Sequence, residues 1–174
     1  MKKLITIILL LFISFSYGQK RELRNANKFY DSGEFSSALD LLESSKVLFD
    51  SSDDKVKSQQ MLLYGKIHTS MQDFSLAMEA FNISKDLGIS SDQLGPELMR
   101  LENSIITNAI ADQESGNSLD AAIKLKMAYD LNPEVNQDYL YFAAGNAVNS
   151  INYSLALEYY LLLRDINYDG VTTK

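Results

Sequence analysis

The chain has 174 residues and a formal net charge of −7 at neutral pH. This acidity argues against a surface for nucleic acid or anionic lipid, because both bind through clustered Lys and Arg side chains. The chain has no cysteine, so disulfide bonds are excluded and apolar packing must supply its stability, for which a hydrophobic content of 46 % is sufficient.

The first predicted element is a cleaved export signal at residues 1–18. Two lysines follow the initiating methionine, residues 4–15 are mostly apolar, and Ser16 and Gly18 are small residues at the places that a signal peptidase requires. We expect cleavage before Gln19. The apolar run is about half of the roughly 20 residues in a spanning helix. We therefore expect no membrane span after cleavage, and a location in the periplasm or outside the cell of a Gram-negative bacterium.

Eight helices are predicted in the remaining chain, because apolar residues recur at three- and four-residue spacing. In the first helix, Leu23, Ala26 and Tyr30 form such a stripe. The predicted helices cover about residues 20–31, 36–49, 54–71, 74–88, 96–114, 118–132, 135–149 and 153–166.

Polar residues and one proline predict where several of these helices begin. Residues 51–54 read Ser-Ser-Asp-Asp, a run that breaks the chain and caps the third helix, and Asp73 is in place to cap the fourth. Pro96 is placed in the first turn of the fifth helix, where its missing N–H has no helical partner to lose. The residues before Pro96 are therefore predicted to be a linker.

A repeated spacing of small and large residues relates the helices in pairs. Gly65 is followed by Ala77, then by Phe81 one helical turn later and by Ser84 after that. A small residue on each of two antiparallel helices lets their backbones approach, and the large residue fills the next layer. The same register recurs in three other sets of residues: Ala26, Ala38, Leu42 and Ser45; Ala109, Ala121, Leu125 and Ala128; and Ala144, Ala156, Tyr160 and Leu163.

These four sets resemble the tetratricopeptide repeat, a helix–turn–helix unit of about 34 residues. The resemblance implies an all-α chain, folded as a right-handed α-solenoid of about four repeats, with residues 19–174 as one helical repeat domain. The repeats are expected at about residues 20–50, 54–88, 96–133 and 135–168.

The resemblance also implies a concave groove lined by the first helix of each repeat. The matching positions are Asn27, Tyr30, Gln59, Leu62, Lys66, Asn103, Ile110, Gln113, Tyr141 and Asn149. Amide and aromatic side chains in such a groove suit a peptide held by hydrogen bonds and stacking. The alternative is that these residues merely face solvent.

Two further features of the sequence are candidate sites. His68 is the only histidine, which excludes histidine clusters and Ser/His/Asp triads, and its place three residues after Gly65 favours a packing role. Residues 165–170, Asp-Ile-Asn-Tyr-Asp-Gly, match the start of a calcium loop, but its closing Glu would fall beyond residue 174. A plain turn after a helix is the preferred interpretation, and no cofactor or metal is expected.

Repeats, an export signal and the lack of a recognisable catalytic motif together predict an exported interaction or scaffold module that holds a protein or peptide and is not an enzyme. The last helix is apolar round most of its circumference over residues 156–163, so we expect another surface to cover it. It could do so by self-association, or as part of a larger envelope protein of which this chain is an N-terminal sensory or assembly segment. An enzyme remains a third hypothesis, because fold does not exclude function.

Overall fold

The computed structural model describes residues 18–170, of which 81 % are helical and none lies in a strand. The predicted export signal lies outside the described residues except for Gly18. The helices are α1 (18–31), α2 (Phe35–Ser44), α3 (Lys46–Asp50), α4 (Asp54–Met71), α5 (Phe74–Asp86), α6 (Ser91–Glu114), α7 (Ser118–Leu131), α8 (Gln137–Asn149) and α9 (Tyr153–Asp165). Within this range no helix is both long enough and apolar enough to cross a membrane.

The chain divides into two compact units, and the division falls inside α6. The first unit ends at Glu97 and the second begins at Leu98. In each unit, helices that follow one another in the sequence pack against each other. The prediction of an all-α chain built from packed neighbouring helices is confirmed.

Helices α4 and α5 approach each other closely at Gly65. A Cβ atom on Gly65 would lie 2.3 Å from the ring of Phe81, which is only 1 % exposed. Ala77, one turn before Phe81, is also fully buried. Because Gly65 has no side chain, the ring of Phe81 can pack between the two helices.

A buried hydrogen bond joins the same two helices. The Ser84 hydroxyl, which is fully buried, donates to the Ser58 carbonyl oxygen at 2.8 Å. A buried hydroxyl without a partner would cost about 1 to 3 kcal/mol. This bond explains how a polar residue is accommodated at a position where the third and fourth hairpins bury Ala128 and Leu163.

The second unit has its core between α6, α7, α8 and α9. Small residues lie at its helix contacts, and three leucines and two tyrosines surround them. The buried members of this core are Ala109, Leu125, Tyr129, Leu140, Ala143, Ala144, Tyr159 and Leu163. Lys124 of α7 pairs with Asp112 of α6 at the edge of the core.

Tyr160 departs from the repeated packing pattern. It occupies the position of Phe81 in the last hairpin, yet it is 41 % exposed, and its neighbour Tyr159 is buried instead. The residue opposite is Ala144 rather than a glycine. A Cβ at Gly65 would collide with the aromatic ring opposite it. The Cβ of Ala144, at the equivalent position, therefore leaves no room for the ring of Tyr160. A leucine does fit opposite alanine, as Leu42 and Leu125 show in two other hairpins.

Two predicted helix boundaries are wrong. The fifth predicted helix does not begin near Pro96, because α6 already begins at Ser91, where the Ser90 carbonyl accepts hydrogen bonds from the N–H groups of Gln93 and Leu94. Leu94 is buried, and burying it stabilises this additional helical segment before the proline. The second predicted helix is broken at Ser45 into α2 and α3.

The helix caps follow the prediction only in part. The Asp53 side chain accepts a hydrogen bond of 2.8 Å from the Val56 N–H, so the predicted cap of α4 is confirmed. Asp73 stands immediately before α5 but makes no capping hydrogen bond. Its carboxylate instead lies 3.4 Å from Nδ1 of His68.

Candidate binding site

Two polar surfaces lie on different sides of α4 in the first unit. One carries Gln59 and Lys66, and the other carries Gln60, Tyr64 and His68. Each helical residue turns the side-chain direction by about 100°, so the two sets point to well-separated sides of the helix.

The first of these surfaces contains four of the predicted groove residues. We call it the α1–α4–α6 surface and define it by Asn27 and Tyr30 of α1, Gln59 and Lys66 of α4, and Gln93 and Glu97 of α6. Leu62 of α4 was also predicted to line a groove, and it is buried.

Side chains on the α1–α4–α6 surface are held by each other. The Lys66 ammonium lies 4.6 Å from the centroid of the Tyr30 ring and 4.0 Å from a carboxylate oxygen of Glu97. The Gln59 side chain donates to the Gln93 side-chain oxygen at 3.2 Å. The cation, the aromatic ring and the amides are thus fixed at one surface before any partner binds.

Asn27 is fixed in a different way. Its side-chain amide donates to the Leu23 carbonyl oxygen of its own helix at 2.9 Å. Because this bond uses the amide nitrogen, the side-chain oxygen of Asn27 keeps its capacity to accept a hydrogen bond. Together with the two glutamines, it provides the kind of group that hydrogen-bonds a peptide backbone.

The predicted groove residues of the second unit are exposed. Asn103, Gln113 and Asn149 are exposed side chains, and so is Ile110. Tyr141 is also exposed, and its ring centroid lies 5.8 Å from that of Phe142 and 5.9 Å from that of Tyr168. The structure therefore brings Tyr30 close to Lys66, whereas it shows no such pairing among the predicted residues of the second unit.

Gln93 and Glu97 were missed by the sequence interpretation. The helix of this segment was predicted to begin only at Pro96, so Gln93 was placed in a linker. Leu94, Leu98, Leu101 and Ile105 continue one apolar stripe at four- and three-residue steps. That stripe is the signal that extends the helix back to include Gln93.

The second surface is an open cleft of about 230 Å³ between α2, α3, α4 and α5. Its floor contains Gln60, Tyr64 and Ala80, which are all buried. None of the residues predicted to bind a peptide lines it. This cleft was missed because its residues come from four helices, and only the packing of those helices brings them together.

Tyr64 is the centre of the polar network in the cleft. Its hydroxyl donates to a Glu43 carboxylate oxygen at 3.0 Å. Burial, with Glu43 as the second cause, raises the pKa of the Tyr64 phenol well above its usual range. The phenol therefore stays protonated and acts as a fixed hydrogen-bond donor to Glu43.

His68 lies beside Tyr64 in the same cleft. The two rings are nearly parallel, with an interplanar angle of 11° and 6.2 Å between centroids. The His68 side chain is 12 % exposed, and Nδ1 faces the Asp73 carboxylate. His68 thus packs on one side and lines the cleft on the other, which the packing interpretation of the sequence did not include.

Helix α9 carries an exposed apolar stripe. Its members lie at four-, three- and one-residue steps on one side of the helix: Tyr153, Leu157, Tyr160 and Leu161. Leu157 is 59 % exposed. The same helix buries Ala156, Tyr159 and Leu163 on its other side.

The segment after α9 is a helix-terminating turn. Asn167 has a positive φ of 53°, its N–H donates to the Arg164 carbonyl, and the Tyr168 N–H donates to the Leu163 carbonyl. These two bonds form a Schellman turn. The Tyr168 hydroxyl then donates to Asp138 of α8 at 2.6 Å, which ties the turn to that helix.

Asp165 of the same segment is paired with Arg164 at 2.7 Å. Among residues 18–170, no three His, Cys, Asp or Glu side chains are grouped closely enough to hold a metal ion.

Comparison with protein families, with curated proteins and with solved structures gives no match.

Proposed function

We propose that this chain is an exported helical repeat protein, similar to tetratricopeptide-repeat solenoids, which binds a segment of a partner protein on the α1–α4–α6 surface and carries out no chemistry. The observation that carries the proposal is the fixed set of groups around Lys66, where Tyr30 and Glu97 hold the cation. Export rests on the signal predicted at residues 1–18.

The energetic argument is one of preorganisation. A flexible lysine or glutamine loses about 0.5 to 1.5 kcal/mol of side-chain freedom when a partner immobilises it. Lys66 and Gln59 are already positioned by Tyr30 and Gln93. A partner that hydrogen-bonds to them therefore meets a smaller entropic cost than it would on an ordinary surface.

The repeat character is supported by the residues at the helix contacts. Small residues are buried where the register predicts them, at Ala26 with Ala38 in the first hairpin and at Ala109 with Ala121 in the third. Gly65 and Ala77 occupy the same places in the second. In helical repeat proteins, the first helix of each pair contributes to the binding surface.

Photo-crosslinking in cells tests the proposed surface. A photoreactive amino acid replaces Gln59, which lies on the surface, or Asn82, which is an exposed residue of α5 outside it. We expect one discrete crosslinked protein with the probe at Gln59 and none with the probe at Asn82. The same crosslinked product from Gln59 and Asn82 would overturn the proposal. The absence of any product from both Gln59 and a second surface position, Asn27, would also overturn it.

A second observation favours self-association through α9. Its exposed stripe of tyrosines and leucines resembles the apolar part of an interface between copies. Light scattering of the purified protein is expected to give twice the chain mass, and Leu157→Glu is expected to return it to the mass of one chain. An unchanged mass in the variant would contradict this interface.

A further inference from the structure

We infer that the cleft on α4 binds the side chain of an arginine from a partner polypeptide. The cleft combines apolar walls, buried planar groups and a rim that carries more carboxylates than cations. This combination matches a side chain with an aliphatic stem and a planar cationic end. The inference adds a second contact to the partner proposed above, but its test does not require that partner.

The size of the cleft limits what it can hold. Pockets for whole small molecules usually enclose about 300 to 1,000 Å³, whereas this cleft has about 230 Å³ and is open to solvent. Met61, Leu76 and Ile83 form its apolar wall, and Leu76 and Ile83 are partly exposed although they are large hydrophobic residues. A single long side chain entering from outside would cover them.

The charge of the rim selects a cation. Glu43, Asp50 and Glu79 contribute three carboxylates, and Lys46 contributes one ammonium. Asp50, Glu79 and Lys46 form no ion pair or hydrogen bond through their side chains among residues 18–170, and Glu43 accepts only the Tyr64 hydroxyl. Within the described residues, the carboxylates of the cleft are therefore not held in ion pairs, and they outnumber the one ammonium group of the rim.

The planar groups favour arginine over lysine. Tyr64 and His68 form a nearly parallel pair of rings along the cleft. A guanidinium group is planar and stacks on aromatic faces, and its five N–H donors can reach carboxylates in more than one direction. The compact, strongly hydrated ammonium of lysine lacks both properties.

The test uses a small peptide in place of the unknown partner. Acetyl-Ala-Arg-Ala-amide is titrated into the isotopically labelled protein, and the backbone amide signals are followed by NMR. The matched probe replaces arginine by citrulline, which has nearly the same shape but no charge. We expect saturable shifts at Tyr64, His68 and Ile83 with the arginine peptide, and at least tenfold weaker binding of the citrulline peptide.

Charge variants of the rim locate the site. Asp50→Asn combined with Glu79→Gln is expected to weaken binding of the arginine peptide about fivefold or more, since each exposed carboxylate contributes about a two- to fivefold effect. Glu114→Gln, which removes one negative charge from an exposed position outside the cleft, is expected to leave the affinity unchanged.

Several outcomes would overturn the inference. They are equal binding of the two peptides, shifts that fall outside the cleft, and equal affinity of the double variant and the wild type. If the double variant fails to fold, the relative affinities of the arginine and citrulline peptides for the wild-type protein still test the inference. Failure of crosslinking at Gln59 combined with arginine binding here would reject the proposed function and leave this site in place.

Discussion

Replacing Gly65 by alanine tests the contact between α4 and α5 that organises the first unit. The new Cβ would lie 2.3 Å from one ring carbon of Phe81 and 2.4 Å from a second, whereas ordinary contacts begin near 3.4 Å. The ring or a helix must therefore move by about 1 Å. Phe81 is 1 % exposed, so it has no solvent-filled space into which it can move.

The expected change in stability combines two opposing effects. Overpacking of this kind costs about 1 to 3 kcal/mol, while replacing glycine by alanine inside a helix stabilises by about 1 kcal/mol. Gly145→Ala in α8 is the matched control, because a Cβ there meets no atom within 4 Å. The free energies of unfolding of the two variants should therefore differ by about the overpacking cost alone.

The assay is urea unfolding followed by circular dichroism. We expect Gly65→Ala to lower the free energy of unfolding by up to about 2 kcal/mol and Gly145→Ala to raise it by about 0.5 to 1 kcal/mol. Adding Phe81→Leu should reduce the cost of Gly65→Ala by about 1 kcal/mol or more, since leucine stands opposite alanine at Leu42 and Leu125. A Gly65→Ala variant as stable as the Gly145→Ala variant would refute the packing argument.

Three further predictions concern single side chains. Ala77→Leu should destabilise by about 1 to 3 kcal/mol because Ala77 is fully buried, whereas Ser91→Leu at an exposed position should change little; equal melting temperatures would contradict the repeat register. Ser84→Ala should cost about 0.5 to 1.5 kcal/mol by removing the bond to Ser58, and a neutral effect in urea unfolding would show that this bond contributes nothing. Above about pH 10 the Tyr64 phenol ionises in the unfolded chain, whereas burial and Glu43 raise its pKa in the folded protein. The free energy of unfolding should therefore fall by about 1.4 kcal/mol per pH unit because of Tyr64. Tyr64→Phe should lose that part of the slope, and an unchanged slope would argue against the raised pKa.

The helices could be predicted because their signals are local. Apolar spacing and polar turns place α4, α7 and α9 within a few residues of their observed ends. The pairing at Gly65 and Phe81 could also be predicted, since it depends on residue size at fixed spacing.

The start of α6 could not be placed as easily. The preference of proline for the first turn of a helix predicted that the helix begins at Pro96. The helix in fact begins at Ser91, because burial of Leu94 stabilises the segment before the proline. Burial depends on the surrounding helices and cannot be read from the local sequence. Tyr160 illustrates the same limit, because whether an aromatic residue fits depends on the single Cβ of Ala144 on another helix.

The candidate sites were predicted to different extents. Tyr30, Gln59 and Lys66 were identified from their positions in the repeat, and the structure shows which side chains hold them. The cleft around Tyr64 has no sequence signal of its own. Glu43, Tyr64 and Glu79 lie on three helices, and no periodicity along the chain relates them.

The most direct test of the central claim is an NMR measurement of the distance between Gly65 and Phe81. The ring of Phe81 lies against the Gly65 backbone, where a Cβ would be only 2.3 Å away. We expect strong nuclear Overhauser effects between the Gly65 Hα protons and the Phe81 ring protons, with the Hα signals shifted upfield by the ring. The absence of these effects, with Gly65 Hα signals at their ordinary positions, would contradict close packing of α4 against α5.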